Sequence, residues 1–189
     1  MSRTTYEIVF DYDDIIYPWS NRAHKLCVEA GTTGGNEVDR WRIWESYGCE
    51  EQVFWDVLSS ATVSGELYDD APISGVLAQM QRLRGHGHRI HIVTARGFGQ
   101  HGALIQALTR EQVRNWNVPM DSLTFSQDKT VVPAHFAIDD GLHNYWPLDE
   151  AGVMVFLMDM WHNQIVPAPV RRVKSVREFA DLVLGSVKV

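Results

Sequence analysis

The chain reads as an α/β protein, a Rossmann-like three-layer fold with a central parallel sheet and a small helical cap inserted after the first strand. Three observations predict this. Short β-type runs alternate with helical patterns along most of the 189 residues, the signature of a parallel sheet covered on both faces. The alternation breaks once, over about residues 17–70, directly after the first run. Four short polar motifs fall at the ends of the β-type runs, where open α/β sheets bind their ligands.

Tyr6 to Phe10 is the first β-type run and ends on Asp11. Ser20 to Ala30 follows as a capped helix stopped by Gly31, and Gly31 to Gly35 as a loop. Val38 to Tyr47 and Glu50 to Leu58 then read as two short aromatic-rich helices. Ile73 to Leu83 places Ile73, Val76, Leu77, Met80 and Leu83 on one helical face. Arg89 to Val93 is a strand ending on Thr94, and Ala103 to Trp116 a second amphipathic helix. Ser122 to Phe125, His135 to Ile138 and Val153 to Leu157 are further strands. Ser175-Val176-Arg177-Glu178 is a capping box that opens a helix through Leu184, stopped by Gly185. The organisation expected is a core of residues 1–16 and 71–189 with a cap of residues 17–70.

Composition excludes several classes. With 45% apolar and 22% charged residues the chain is neither low-complexity nor disordered. A net charge of −7 disfavours a nucleic-acid partner, because phosphate backbones are drawn to basic surfaces. Cys27 and Cys49 form no CxxC pair, which points to a reducing, cytoplasmic setting without structural disulfides. The longest wholly apolar run, Val153 to Met158, is far too short for a membrane span, and the N-terminus enters a strand with no room for a signal segment. Monomer and homodimer both remain open.

The chemistry lies in the four motifs: Asp11-Tyr12-Asp13-Asp14, Thr94-Ala95-Arg96, Asp128-Lys129-Thr130 and Asp139-Asp140. Each alone is weak, and Asp69-Asp70 reads as a solvated turn. Together, in this order at one sheet edge, they define a site. Asp11, Asp13, Asp139 and Asp140 cannot all stay ionised at close range without compensation. Lys129 supplies one positive charge, and a hard, oxygen-ligated ion such as Mg²⁺ would supply two. The eight His show no HExxH or comparable spacing, so a zinc site is not indicated. Carboxylates, a cation, the Thr94 hydroxyl and the Lys129 amine suit phosphoryl transfer.

FDYDD after a β-run, VTAR, DKT and IDD resemble the four signature motifs of the haloacid dehalogenase (HAD) superfamily of aspartate-nucleophile phosphatases. Leu123 to Asp140 and the later Trp161-His162-Asn163-Gln164 resemble the 5′(3′)-deoxyribonucleotidase family more closely. The resemblance implies a HAD-like fold and a Mg²⁺-dependent phosphatase acting on (deoxy)nucleoside monophosphates. It implies that Asp11 is the nucleophile and Asp13 the general acid and base. Thr94 and Lys129 would stabilise the phosphoryl group. Asp11, the Asp13 main-chain carbonyl and Asp139 would hold the metal, with Asp140 in its outer shell. Two departures stand out. Asp14 replaces the usual Gly, which is expected to cost nothing, and Thr94-Ala95-Arg96 replaces a small polar context, which leaves the substrate open.

The substrate-binding candidates are Ala95, Arg96, Trp41, Trp44, Phe54 and Trp55. Arg96 suits a phosphate or base, or equally the surface. The rings, with Tyr47, lie at helical spacing and serve a cap core, a base pocket or both. His143 and His162 lack partner spacing and read as surface or core residues. The competing functions are a phosphatase of nucleic-acid ends or other small phosphomonoesters, and a non-catalytic binding protein on the same fold.

Overall fold

The computed structural model describes residues 4–32, 43–166 and 169–186. Among these residues six strands form one parallel sheet: β1 (Glu7–Phe10), β2 (Arg89–Thr94), β3 (Ser122–Phe125), β4 (Phe136–Asp139), β5 (Met154–Met158) and β6 (Arg172–Val173). Their order across the sheet is β3-β2-β1-β4-β5-β6. The chain winds outward from β1 through β2 to β3 and then returns to β4 on the other flank. The strand order therefore reverses between β1 and β4, and in doubly wound sheets that reversal opens a crevice at the carboxyl ends of the strands.

The helices are α1 (Trp19–Glu29), α2 (Glu51–Ser64), α3 (Val76–Gly85), α4 (Gly102–Asn115), α5 (Leu142–Glu150) and α6 (Val176–Gly185). Alternation along the strands sorts their side chains onto two faces. Ile8, Phe10, Ile90, Ile92 and Ile138 join the larger core with Met80 and Leu83 of α3 and Phe179 and Val183 of α6. Phe179 sits at the centre of this face, edge-on to both Phe10 and Phe156 at 5.5 Å between ring centroids. Val9, Val93, Ala137, Val155 and Leu157 face the other way, onto Tyr145 and Leu148 of α5.

Most elements fall within a few residues of the sequence reading, with informative exceptions. The first half of the expected helix over Val38 to Tyr47 lies outside the described residues, and its second half, Ile43–Tyr47, forms a 3-10 turn. Helix α2 runs past Leu58 to Ser64, because no breaker intervenes before Gly65, which takes φ 86 at the cap. Helix α5 was not expected; Pro147 interrupts its pattern, yet the helix accommodates it. The Ser175 side chain caps α6 by accepting from the Glu178 N–H at 3.2 Å. The return bond of the box shifts by one residue, so that the Glu178 carboxylate accepts from the Lys174 N–H at 2.8 Å. Among the described residues no helix is long and apolar enough to cross a membrane.

Directly after β1, Tyr12 O accepts from the N–H groups of Ile16 and Tyr17, both at 2.9 Å, and closes a tight loop. Helices α1 and α2 pack on each other, and Ser59 of α2 meets His101 at the start of α4, with Oγ and Nε2 2.7 Å apart.

Candidate active site

The parallel register delivers the acidic residues to one place. Asp11 follows β1 and its N–H donates to Ile138 O of β4 at 3.0 Å, so the ends of the two central strands are locked in step. Asp139 ends β4 and Asp140 follows it. Carboxylate oxygens of Asp11, Asp139 and Asp140 all lie within 4.8 Å of one another, and all three residues are buried. Lys129, in the 3-10 turn Lys129–Val131 after β3, donates from Nζ to the Asp11 carboxylate and to Val93 O, the latter at 2.7 Å.

One ammonium cannot balance three buried carboxylates. Burial pushes Asp11 up from 3.8 to about 7, against the pull of Lys129 and with a further push from Asp139 and Asp13. Asp139 is raised by burial, although Lys129, the Asn144 side chain and the Gly141 N–H oppose the shift. Asp140 is raised well above the usual carboxylate range by burial and by Asp139. For Lys129, burial opposes the charge, but Asp11 and Asp139 outweigh it and raise the amine further. A buried set of hard oxygen donors with excess negative charge fits a Mg²⁺-type ion.

Asp14 has a φ of 57, in the left-handed region, which explains why glycine suits this position, and Asp tolerates it better than most residues. Asp14 adds another buried carboxylate to the site, a consequence that residue type alone does not reveal. Asp14 accepts from the Ser20 N–H at 2.9 Å and from its hydroxyl. Burial and the neighbouring Asp140 still push it to about 7. Oxygens of Asp14 and Asp140 and a ring nitrogen of His162 form a second close group.

Sequence reasoning missed His162 and Asn163 as site residues. His162 Nε2 lies 2.8 Å from Asp140 Oδ2, and Asn163 Nδ2 donates to Asp140 O at 2.8 Å and Met158 O at 2.7 Å. The Trp161–Gln164 segment therefore secures the fourth motif. That segment was visible within the resemblance, but without a partner in the sequence it carried no role. His143 also lines the cavity described next.

A cavity of about 380 Å³ opens above the carboxylates, with Asp11, Asp13, Lys129 and Asp140 among its lining residues. Its volume suits a small ligand. Trp19, Trp44, Trp55 and Phe98 supply an aromatic wall. Phe98 is 49% exposed and lies between Gly97 and Gly99, whose φ values of 91 and 102 only glycine adopts readily.

The structure separates the substrate-binding candidates. Trp44, Trp55, Ala95 and Arg96 line the cavity. Phe54 does not: it is fully buried, stacked on Tyr47 at 5.8 Å and edge-on to Trp55 at 5.0 Å. Its neighbour in sequence, Trp55, points about 100° further round α2, which carries it from the core to the cavity. Trp41 lies outside the described residues. Thr94 is buried at the end of β2, off the cavity lining, where its hydroxyl accepts from the Arg96 N–H at 3.2 Å. Arg96 is held by Asp13, with Nη2 2.6 Å from Oδ1, rather than being free for substrate.

No family model matches the chain, and no curated protein does. Solved structures do. A haloacid dehalogenase-like hydrolase from Burkholderia xenovorans LB400 superposes with a TM-score of 0.62 at 15% identity, covering 98% of this chain and 99% of that one. A HAD-hydrolase from Bacillus subtilis bound to magnesium gives 0.58 at 14% identity, over 96% of this chain and 100% of that one. D,D-heptose 1,7-bisphosphate phosphatase from B. bronchiseptica, complexed with magnesium and phosphate, gives 0.53 at 11% identity, over 96% and 99%. With its six parallel strands and its helical segment after β1, the chain has the fold of the HAD-like hydrolases.

Proposed function

We propose that this protein is a Mg²⁺-dependent phosphomonoesterase that hydrolyses (deoxy)nucleoside monophosphates through a phospho-aspartyl intermediate. The observation that carries the reading is the cavity itself: Asp11 and Lys129 at the acidic end and Trp44 and Trp55 on its wall. A phosphate and an aromatic base on one small molecule match those two surfaces.

Asp11 attacks phosphorus as Asp13 passes a proton to the leaving oxygen, and Asp13 then takes a proton from the water that cleaves the acyl phosphate. Lys129 holds the Asp11 carboxylate and offers positive charge to the equatorial oxygens as charge builds there. Asp11, the main-chain carbonyl of Asp13 and Asp139 would hold the metal, with Asp140 and, through it, His162 positioning the outer shell. The ion supplies the charge that lets an anionic nucleophile approach an anionic phosphate. Residues 17–70 act as the cap, and Trp44 and Trp55 grip the base by stacking, worth about 1–3 kcal/mol per ring.

A second reading, a phosphatase of phosphorylated sugars, is favoured by structural neighbours named as a β-phosphoglucomutase and a heptose bisphosphate phosphatase. A phosphate-release screen over nucleoside 5′- and 3′-monophosphates and sugar phosphates, with and without Mg²⁺, separates the two. Turnover confined to sugar phosphates overturns the nucleotide reading, and no turnover on any phosphomonoester overturns both.

A further inference from the structure

Arg96 is as closely confined as Lys129, but a larger set of contacts holds it. Its side chain is 3% exposed. The guanidinium carbon lies over three ring faces at once, 4.4 Å from the centroid of Tyr12, 4.7 Å from Tyr68 and 4.8 Å from Tyr17. Nη1 donates to Gln112 Oε1 at 2.8 Å and to Thr109 Oγ1 at 3.2 Å, both on α4. Gln112 is itself fixed, donating to Tyr68 O at 2.6 Å and accepting from the Tyr12 hydroxyl at 3.3 Å.

The remaining edge of the guanidinium meets Asp13. Nε lies 3.0 Å from both carboxylate oxygens and Nη2 lies 2.6 Å from Oδ1. Oδ1 therefore takes two donors, whereas Oδ2 shares only the Nε–H. The Asp13 side chain is 28% exposed, so the arginine is the anchored partner and the aspartate the one facing the cavity. An arginine with this many fixed contacts does not leave them to follow a substrate, because a planar guanidinium loses its whole fork of bonds when it turns.

We propose that Arg96 is a positioning residue that holds the Asp13 carboxylate, with Oδ2 left to accept a proton, for the water-activating half of the reaction. The assignment rests on the reading of Asp11 as nucleophile and Asp13 as acid and base. In the first half, the Asp11 oxygen bonds to phosphorus, the bond to the leaving oxygen breaks, and the Asp13 proton goes to that oxygen. Asp13 is then a carboxylate, the form that a bidentate guanidinium recognises. In the second half, water adds to phosphorus, its proton passes to Asp13 Oδ2, and the Asp11–phosphorus bond breaks. Arg96 fixes the acceptor for that last proton and touches neither phosphate nor base.

Rapid-quench and burst kinetics on the full-length Arg96→Lys variant with Mg²⁺ test this, using p-nitrophenyl phosphate and thymidine 5′-monophosphate as probes. With p-nitrophenyl phosphate, whose phenolate leaves without a proton, the expected result is a burst of leaving group followed by slow turnover; with thymidine 5′-monophosphate, which needs the Asp13 proton, both halves slow. The steady-state kcat falls about 100-fold, the usual scale for a displaced acid–base group. KM falls in parallel, kcat/KM changes little, and the acid-stable phospho-enzyme accumulates. Burst amplitude counts only competent molecules, so partial misfolding lowers the amplitude without imitating the slow second step. Thr109→Val, which removes one anchor and keeps the shape, gives the same pattern more weakly. With p-nitrophenyl phosphate, a raised KM with reduced kcat/KM overturns the proposal in favour of direct substrate contact, and an equal fall in both half-reactions overturns it in favour of a structural role. A wild-type protein that forms no phospho-enzyme with either probe overturns the reading of the site, and this assignment with it.

Discussion

Lys129 Nζ bridges two strands that its own segment does not belong to, donating to the Asp11 carboxylate at the end of β1 and, at 2.7 Å, to Val93 O near the end of β2. A single amine thereby fixes the orientation of the proposed nucleophile relative to the strand that carries Thr94. The short turn that places it, Lys129–Val131, is capped by Asp128, whose Oδ1 accepts from the Thr130 N–H at 2.8 Å.

Lys129→Met keeps an unbranched side chain one atom shorter and removes the charge. Phosphatase kcat is expected to fall about 10²- to 10³-fold, the range seen when a donor to a developing oxyanion is lost. The protein should remain folded, because Asp11, already raised to about 7, can take up a proton in place of the lost partner. A kcat within a few-fold of wild type by phosphate release would contradict the role.

Asp11→Asn removes the proposed nucleophile and one buried carboxylate. Turnover should drop below about a hundredth of wild type, since nucleophile losses usually cost far more. The thermal midpoint in chelator should hold or rise, because the variant no longer buries a carboxylate among carboxylates. Asp13→Asn should also be slow, but its Mg²⁺ affinity should stay near wild type, the proposed ligand there being the main-chain carbonyl. Equal loss of Mg²⁺ affinity in both variants, by calorimetry, would refute that ligand set.

The carboxylates also set a pH dependence. Asp11 and Asp14 are both raised from 3.8 to about 7, chiefly by burial. Between those values the folded state holds more protons than the unfolded one. Their contribution to stability is thus fully present below about pH 4 and is lost as pH rises through 7. Cation binding requires the ionised forms and releases the protons, so the stabilisation by Mg²⁺ should grow over the same window. Thermal melts in Mg²⁺ and in chelator from pH 5 to 8.5 measure the difference; a Mg²⁺ gain independent of pH would show that these groups do not face the ion.

What could be read from the residues divides by range. The strand ends were legible because an apolar run that stops at Asp11, Thr94 or Asp139 reports both the strand and the group it delivers. Helix α5 was obscured by Pro147, which breaks the pattern without breaking the helix. The Arg96–Asp13 pair spans 83 positions and the His162–Asp140 pair 22. Nothing local distinguishes such an arginine from a surface one or such a histidine from a core one. Asp14 is opaque for a related reason: its residue type is visible in the sequence, but its left-handed backbone and its contact with Ser20 are not. Phe54 and Trp55 are adjacent in sequence, and only the rotation of α2 decides which is core and which is wall.

That division makes the last prediction specific. Phe54 is fully buried and stacked on Tyr47, so Phe54→Ala should cost about 3–5 kcal/mol of stability through the cavity it leaves, with little effect on KM in the molecules that stay folded. Trp55 is 43% exposed and lines the site with Trp44, so Trp44→Ala and Trp55→Ala should act on binding instead. Stacking grips a nucleoside about equally in ground and transition states, which raises KM and leaves kcat nearly unchanged when it is removed. At about 1–3 kcal/mol per ring, the KM for nucleotides should rise roughly 5- to 150-fold. A small aryl phosphate gains little from that wall and should be nearly indifferent. If both tryptophan variants hydrolyse nucleotides with unchanged KM, the aromatic wall does not bind the base, and the choice between nucleotide and sugar phosphate passes to the polar side of the cavity.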